Sequence, residues 1–353
     1  MRNFHNLYVK WWLIQIVSNP NMHLIDLAVG KAGDLSKWIN SQLHAVLGID
    51  ISKDNIHNSK DGACARYLDT INKNPKQKIP ISMFIHGDTS KLIENGDFEK
   101  IETNNSPSNS HLILKTLMGS RDIPTEKLDP FLKKYHGLFE HKFDICSIQF
   151  AVHYMFENKK TLHQFITNVS KYTKKGGYFI GTCYDGKKIY DKLKDSNHEE
   201  LWVEHTKIWH ITKKFQDENQ RFLDDDENSL GFKISVYQET INKEFDEYLV
   251  NFDYFVKIMT DYGFELVKEH KHGIGSFKTL FEDMIALPES EQSKYGLAKN
   301  MNNQEKEISF LNNYFIFRKQ QDIIHSLYDE KDEIDLSVGQ AKKLDKIITL
   351  NNI

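Results

Sequence analysis

The sequence is poor in residues that cross-link or interrupt a chain. Its 353 residues include three cysteines, Cys64, Cys146 and Cys183, and no Cys-x-x-Cys pair. This odd, scattered set argues against a disulfide framework and a structural zinc site, and is typical of a reducing, intracellular compartment. Only seven prolines and eighteen glycines are present, which argues against a linker-rich architecture.

Long apolar runs and a strong charge of one sign are also missing. The stretch WWLIQIV at 11–17 is too short and too polar for a signal peptide or a membrane span. The formal net charge is −4, so any contact with nucleic acid requires a local basic patch. With 39% hydrophobic and 27% charged residues, the composition is that of a globular protein of one large or two ordinary domains.

What the chain does contain is an alternation of strand-like and helix-like segments over its first 195 residues. Apolar spacing predicts helices over 2–18, 34–41, 52–72, 112–136, 158–173 and 186–194. Short apolar segments predict strands over 22–29, 44–50, 81–88, 143–150 and 176–184, with a polar loop over 102–111. This order favours an α/β fold with a doubly wound, mainly parallel sheet covered on both faces.

After about residue 195 the pattern becomes that of antiparallel strands, at 207–215, 230–240 and 313–319, with an amphipathic helix over 249–264 ending near Gly263. We therefore expect one domain over 1–319 and a polar, peripheral tail over 320–353. Within the domain we expect a core at about 1–195, an antiparallel and helical substrate-binding extension at about 196–319, and a helical insertion at about 100–140.

Polar residues lie at the ends of four predicted strands: Asp26, Asp50, Asp88 and Gln149. Because the carboxyl ends of parallel strands meet at one edge of a sheet, we expect these side chains along one crevice. Each aspartate is also explained as a helix cap or turn former, which is a common role for this residue.

The turn DLAVGKAGDLSKW (26–38) after the first strand has the form of a cofactor loop, since glycine lets a ligand approach the backbone closely. A dinucleotide would place its pyrophosphate at the following helix and its ribose on Asp50. S-adenosylmethionine (AdoMet) uses the same geometry without a pyrophosphate, so that alanine and valine are tolerated, and its ammonium would suit Asp26. Spacing alone leaves both cofactors open.

Six motifs together resemble the mRNA cap guanine-N-7 methyltransferase family. They are RNFHN…VKWWLI (2–14), DLAVGKAGDLSKW (26–38), GIDIS (48–52), FDICSIQFAVHYMFE (143–157), GGYFIGTCYDG (176–186) and EYLVNF (247–252). Their order and spacing agree with the family over nearly all of residues 2–319. The segment 112–145 resembles the version in capping enzymes of large DNA viruses, where this activity is often one domain of a longer polypeptide. That would account for a functional helix directly after Met1.

The resemblance implies a Rossmann-like class I methyltransferase fold, AdoMet as the cofactor and the capped 5′ end of mRNA as the substrate. The residues implied to bind AdoMet are Lys10, Asp26, Ala28, Gly30, Asp50, Asp88, Thr89, Gln149 and Tyr154. Lys10 would pair with the AdoMet carboxylate, Asp50 would hold the ribose, and Asp88 would lie against the adenine.

The residues implied to bind the cap are Asn6, Lys31, Lys37, Arg66, Phe150, His153, Glu247 and either Asn312 or Tyr314. Glu247 and His153 would recognise the guanine edge, since a carboxylate suits the donors at N-1 and the exocyclic amine. Phe150 and Tyr154 would offer aromatic surface, and Lys31, Lys37 and Arg66 would meet the phosphates and ribose. Taken singly, each is also explained as an ordinary strand-end, core or surface residue.

Guanine N-7 has no proton to lose and the AdoMet methyl is already activated, so the resemblance implies no catalytic acid or base, and we expect no metal. Triphosphatase and guanylyltransferase domains of the same polypeptide or complex are expected partners, and a membrane is not. The location would be a virion or cytoplasmic viral factory for a viral protein and the nucleus for a cellular one.

Departures from the family pattern and competing functions also follow from the sequence. Ala28, Val29 and Ala32 replace two glycines and a cysteine of the usual loop, and Ala28 would crowd the methionine backbone. Leu7 replaces a common asparagine and Tyr184 a frequent proline. The alternatives are an AdoMet methyltransferase acting on another substrate and a catalytically silent subunit of a capping complex. A dinucleotide oxidoreductase is disfavoured by the motifs at 149–157 and 176–182.

Overall fold

A computed structural model describes residues 1–101, 109–124, 126, 128–239, 242–269 and 273–323. The strands in these ranges are β1 His23–Asp26, β2 Ala45–Asp50, β3 Ile81–His86, β4 Phe143–Gln149, β5 Thr173–Tyr184, β6 His198–Val203, β7 Thr206–Lys213, β8 Lys233–Gln238, β9 Lys243–Tyr248, β10 Phe264–Leu266, β11 Ile274–Ser276 and β12 Asn312–Lys319. The α-helices are α1 Lys10–Val17, α2 Leu35–Asn40, α3 Lys53–His57, α4 Ala63–Lys73, α5 Ser110–Leu117, α6 Pro130–Lys134, α7 Lys159–Tyr172, α8 Gly186–Leu193, α9 Phe252–Asp261, α10 Phe277–Ala286, α11 Glu289–Gln292 and α12 Asn303–Ser309.

Eight strands form one mixed sheet in the order β10-β12-β5-β4-β1-β2-β3, with β11 also paired to β12. Strands β1 to β5 run parallel, and β12 runs antiparallel to β5. The remaining strands form an antiparallel sheet in the order β6-β7-β8-β9. The predicted doubly wound, mainly parallel sheet with an antiparallel extension is confirmed. Because the strand order reverses between β1 and β4, a ligand crevice is expected outside their carboxyl ends.

The large sheet separates two apolar cores because neighbouring residues of a strand point to opposite faces. Ile25 of β1 packs into a core with the helices α7 and α9, whereas Leu24 packs into a core with α1, α2 and α10. Every residue of β2 is buried, as expected for a central parallel strand covered on both faces. No helix in the described ranges is both long and apolar enough to cross a membrane.

The predicted helix over 52–72 is wrong, because the chain forms two helices, α3 and α4, separated at residues 58–62. The side-chain oxygen of Asn58 accepts hydrogen bonds from the backbone N–H groups of Lys60 and Asp61, which replaces helical hydrogen bonding with a turn. A Cβ at Gly62 would lie 2.7 Å from backbone atoms of Asn58, so this close turn requires glycine.

Two further predictions differ from the structure. The predicted helix over 112–136 is replaced by α5, which begins at Ser110, and the short α6. The strand predicted over 313–319 lies in the large sheet between β5 and β10, and not in the antiparallel extension. Seven of the eight residues of β12 are buried in this position. At an edge of the small sheet these side chains would be exposed to solvent. The predicted loop over 102–111 and tail over 320–353 fall mostly outside the described residues.

Gly181 provides a test of the packing between β5 and β12. A Cβ at this position would lie 2.3 Å from the Phe315 ring and 2.4 Å from the Ile148 carbonyl oxygen. We expect Gly181→Ala to lower the free energy of unfolding by about 1–3 kcal/mol, because overpacking must displace neighbouring strands. Urea denaturation followed by tryptophan fluorescence measures the change.

The matched control is Gly33→Ala, since a Cβ there would meet only the Arg66 side chain at 3.9 Å. Equal denaturation midpoints for Gly181→Ala and Gly33→Ala would contradict the close packing of β5 against β12.

Candidate active site

A first cavity of about 630 Å³ opens at the carboxyl ends of β1, β2 and β4. Its walls include Ala28, Asp50, Asp88, Thr89 and Gln149. Three of the four polar residues predicted at strand ends therefore face one space. The fourth, Asp26, is buried beside it, under the loop that follows β1.

A second cavity of about 550 Å³ lies between the small sheet and the amino-terminal helical segment, Phe4–Val9, which leads directly into α1. Its walls include His5, Asn6, His153, Glu247 and Asn312. Three aromatic residues line both cavities: Phe150, Tyr154 and Phe245. We call this shared wall the aromatic junction.

Asp50 connects the loop after β1 to the end of β2. Its Oδ2 accepts a hydrogen bond from the Gly30 N–H at 2.7 Å, and its Oδ1 accepts from the Ser52 N–H and the Asn55 side chain, both at 2.9 Å. A carboxylate has about four acceptor positions, so these three donors orient the group and leave capacity toward the cavity. Asn55 was not predicted from the sequence, because a polar residue early in a helix gives no signal of its partner.

The loop's alanines have different structural roles. Gly30 has a φ of +54° and Ala32 a φ of +52°, both in the left-handed region. This backbone costs a non-glycine residue about 1–2 kcal/mol, which burial of the Ala32 methyl group, 1% exposed, partly offsets. Ala28 is not among the residues with positive φ, so the backbone does not require glycine there. Ala28 lines the first cavity and also packs against the apolar core.

A buried charge cluster lies behind the loop. Asp34 lies 3.4 Å from the Lys10 ammonium and 3.0 Å from the Lys37 ammonium. Burial alone would raise the pKa of Asp34, but the two ammonium groups hold it below its usual value. Burial, helped by the negative charge of Asp34, raises the pKa of Asp26 to about 7. Asp34 was not predicted as a site residue, although an aspartate at the end of the glycine-containing loop could have been recognised from the sequence.

Asp88, Thr89 and Gln149 form the far wall of the first cavity. Asp88 Oδ1 accepts hydrogen bonds from the Ser90 N–H at 3.0 Å and hydroxyl at 2.6 Å. Thr89 donates its hydroxyl to the Leu27 carbonyl at 2.8 Å, so it fastens this wall to β1. The Gln149 side chain donates to the Ser147 hydroxyl at 3.1 Å and accepts from the Thr182 hydroxyl at 3.2 Å.

Glu247 and His153 face each other in the second cavity, with Oε2 of Glu247 3.7 Å from Nε2 of His153. Burial raises the pKa of Glu247 to about 8 and lowers the pKa of His153 to about 3. The imidazole is therefore neutral at physiological pH. Within the described residues neither of its ring nitrogens has a hydrogen-bond partner. The cavity thus presents a carboxyl group and an imidazole that can both bond a ligand.

Phe150 holds an uncommon backbone conformation at the aromatic junction, with a φ of +57°. The carbonyl and hydroxyl oxygens of Thr182 accept hydrogen bonds from its N–H at 3.0 and 3.1 Å. Its ring stacks on His5 with centroids 5.3 Å apart, and the Lys10 ammonium lies 5.7 Å from its centroid. Such backbone strain is most common at functional sites.

Several predicted residues lie away from both cavities. Lys31 forms ion pairs with Asp61 at 2.8 Å and Asp54 at 3.4 Å. Arg66 lines a separate groove between α2 and α4. Tyr314 is fully buried with its ring 5.0 Å from that of Trp12.

Three other predicted cap residues have different positions. Lys37 lines a third cavity together with Asn6. Asn6 also lines the second cavity. Asn312 reaches the second cavity, where its side-chain N–H groups donate to the Ile308 and Ser309 carbonyls. Of the two alternatives near the end of the domain, Asn312 therefore borders the cavity and Tyr314 belongs to the core.

Two aromatic residues that line the cavities, Phe245 and His5, were not predicted from the sequence. Phe245 lies two residues before Glu247 in β9, and therefore on the same face of the strand, so the alternation was a readable signal. It is 40% exposed although it lines both cavities. His5 reaches the second cavity because its ring packs against Phe277 of α10 and its Nε2 forms a hydrogen bond with the Ser309 hydroxyl of α12, and no local pattern indicates these contacts.

Comparison with known proteins adds independent information. The family model for the mRNA (guanine-N(7))-methyltransferase domain matches residues 1–320. A probable mRNA-capping enzyme of Acanthamoeba polyphaga mimivirus is 27% identical over 344 residues, which cover 90% of this chain and 27% of that protein. The mRNA cap guanine-N(7) methyltransferase 1 of Arabidopsis thaliana is 26% identical over 265 residues, covering 74% of this chain and 58% of that protein.

The chain thus spans about a quarter of the mimivirus relative and a little over half of the Arabidopsis one. Among solved structures, a methyltransferase from Streptomyces caelestis is similar with a TM-score of 0.47 at 10% identity, covering 90% of each chain. Since the family model matches all but the last 33 residues, the chain belongs to the mRNA (guanine-N(7))-methyltransferase domain family.

Proposed function

We propose that this chain transfers a methyl group from AdoMet to N-7 of the guanine in an mRNA 5′ cap. The observation that carries the proposal is the aromatic junction, where two chemically different cavities meet. A methyl donor and a methyl acceptor must come into contact, and two cavities that adjoin at the same three side chains would hold two ligands next to each other. Membership of the family supports the same assignment.

The chemistry of the first cavity suits AdoMet. The oriented carboxylate of Asp50 would accept hydrogen bonds from the ribose hydroxyls, and Asp88 would accept one from the adenine amino group. Lys10 would pair with the carboxylate of the methionine portion and Asp26 with its ammonium. When bound, AdoMet supplies a methyl group already activated by a positive sulfonium.

The second cavity suits guanine. Ionised Glu247 would accept hydrogen bonds from N-1 and the exocyclic amine, while the neutral imidazole of His153 would donate to the O-6 carbonyl. The partnerless ring nitrogens of His153 fit this role, since a buried polar atom without a partner costs free energy until a ligand supplies one. Phe150, Tyr154 and Phe245 would fix the plane of the base, and Asn312 would close the cavity.

The residues act by positioning and need not move a proton. Guanine N-7 attacks with a lone pair, so the chain contributes orientation, exclusion of water and charge complementarity. Alignment of two bound reactants is worth roughly 7–11 kcal/mol. Lys10 and Lys37 share the carboxylate of Asp34, and with Lys10 paired to AdoMet, Lys37 would face the phosphates of the cap from the cavity that it lines with Asn6. Lys31 and Arg66 would join them only by exchanging their present neighbours.

We further propose that the capped substrate comes from triphosphatase and guanylyltransferase activities of the same polypeptide or complex. The mimivirus relative is named as a capping enzyme and is nearly four times as long as the matched region. Guanine N-7 methylation consumes a guanosine-capped end, which those two reactions produce in sequence.

Two isosteric substitutions, one in each cavity, test which ligand each cavity binds. We expect Asp50→Asn to weaken AdoMet binding and Glu247→Gln to weaken binding of the cap analogue GpppA, each by about 10- to 150-fold, because hydrogen bonds to charged groups contribute about 1.5–3 kcal/mol. Each variant should retain most of its affinity for the other ligand. Isothermal titration measures both affinities, and radiolabel transferred to capped RNA should be recovered as 7-methylguanosine.

The matched control is Asp246→Asn, which alters the neighbouring carboxylate on the opposite, exposed face of β9. AdoMet binding without label in 7-methylguanosine would refute the proposed reaction, and label in another nucleoside or in protein would identify a different acceptor.

The pKa of Glu247 predicts a pH dependence of cap binding. Only the ionised carboxylate accepts both guanine donors, and the free group has a pKa of about 8. Below pH 8 binding must release a proton, so the KM for GpppA should rise about tenfold for each unit of falling pH and level off above pH 8. Saturating AdoMet removes any contribution from Asp26.

The titratable side chains that interact most directly with Glu247 keep their charge state in this range. His153 is neutral, and burial raises the pKa values of Tyr154, Tyr184 and Cys183. The profile of Glu247→Gln should therefore be flat between pH 6 and 8. An unchanged slope in that variant would assign the titration to another group.

A further inference from the structure

A third cavity of about 330 Å³ adjoins the second one. Asn6, on the amino-terminal helical segment, lines both, so the two spaces adjoin at this residue. The third cavity belongs to neither the methyl donor nor the guanine in the proposed function. A ligand that extends from the second cavity past Asn6 would enter it.

The third cavity offers aromatic and apolar surface. Trp11 is partly exposed and its ring centroid lies 5.8 Å from that of the buried Tyr295. Leu7, one helical turn before Trp11, is 41% exposed on the same wall. Aromatic side chains of this kind bind the face of a nucleobase and tolerate any base, because every base has a π-face.

Positive charge accompanies this surface. Lys37, which lines the cavity, is 5% exposed, and its ammonium shares the single carboxylate of Asp34 with Lys10. Lys10 in turn lies over the Phe150 ring at the second cavity. In the proposed function Lys10 pairs with the carboxylate of AdoMet, so the ammonium of Lys37 is the one that this cluster places at the third cavity. Lys294 lies on the opposite rim, paired with Glu291 at 2.7 Å.

We infer that the third cavity is the binding site for the first transcribed nucleotide of capped RNA, whose base stacks on Trp11. Lys37 then faces the phosphate bridge between that nucleotide and the cap guanosine. The inference rests on the proposed function, because it requires the guanine in the second cavity. A shared wall at Asn6, the ammonium of Lys37 and a partly exposed aromatic ring together match one nucleotide joined by phosphates.

The test compares two methyl acceptors, GTP and GpppA, which share guanosine and a triphosphate but differ in the second nucleoside. For the unaltered chain, kcat/KM for GpppA should exceed that for GTP by about 5- to 150-fold, the range for stacking one base. Trp11→Ala should bring this ratio close to one, and Trp11→Phe should retain most of it. A ratio cancels any general loss of activity from imperfect folding.

A second variant covers the case in which Trp11→Ala does not fold. Leu7→Ser removes apolar surface from the same cavity wall at a position that is already 41% exposed, and should lower the ratio of GpppA to GTP because only GpppA places a base there. The matched control is Trp202→Ala, since Trp202 is 45% exposed on β6 and lines none of the three cavities. This control should keep the ratio of the unaltered chain.

The outcomes distinguish the two proposals. Methylation of both acceptors with a ratio that Trp11→Ala leaves unchanged would overturn the third-cavity site and retain the proposed function. A ratio near one for the unaltered chain would also overturn the site. Methylation of neither acceptor, with AdoMet bound, would contradict the proposed function itself.

Discussion

The hydrogen bond from the Gly30 N–H to the Asp50 carboxylate is the constraint on which the site depends. It joins the turn after β1 to the end of β2, at the point where the parallel sheet stops. The backbone bond from the Val29 N–H to the Ile49 carbonyl, at 3.0 Å, continues the β1–β2 pairing into the same turn. The wall of the first cavity is therefore an extension of the sheet, and its position follows from strand pairing.

The two central carboxylates of the site have opposite environments. Asp50 accepts three protein hydrogen bonds, so its orientation is set before any ligand arrives. Glu247 is buried beside a neutral imidazole and has a raised pKa, so a bound partner is needed to favour its charge. The first group provides a preorganised anchor, whereas the ionisation of the second is coupled to what it binds.

Much of the fold and part of the candidate site could be predicted from the sequence. Apolar periodicity identifies five parallel strands, and the polar residues at their ends share one crevice because such strands all point the same way. Local periodicity could not predict the break at residues 58–62, because it depends on the side chain of Asn58 folding back on its own turn. Nor could it place β12, since strand order depends on contacts between distant segments.

The sequence by itself determined the fold class, the position of the glycine-containing loop after β1 and the aspartates at the strand ends, because these follow from local spacing and motif order. Only the tertiary structure decided which side chains meet. It paired Lys31 with Asp54 and Asp61, placed Asn312 at a cavity and Tyr314 in the core, and brought Phe245 to the aromatic junction. These choices depend on packing between segments that are far apart in the chain, where close approach and burial outweigh local preference.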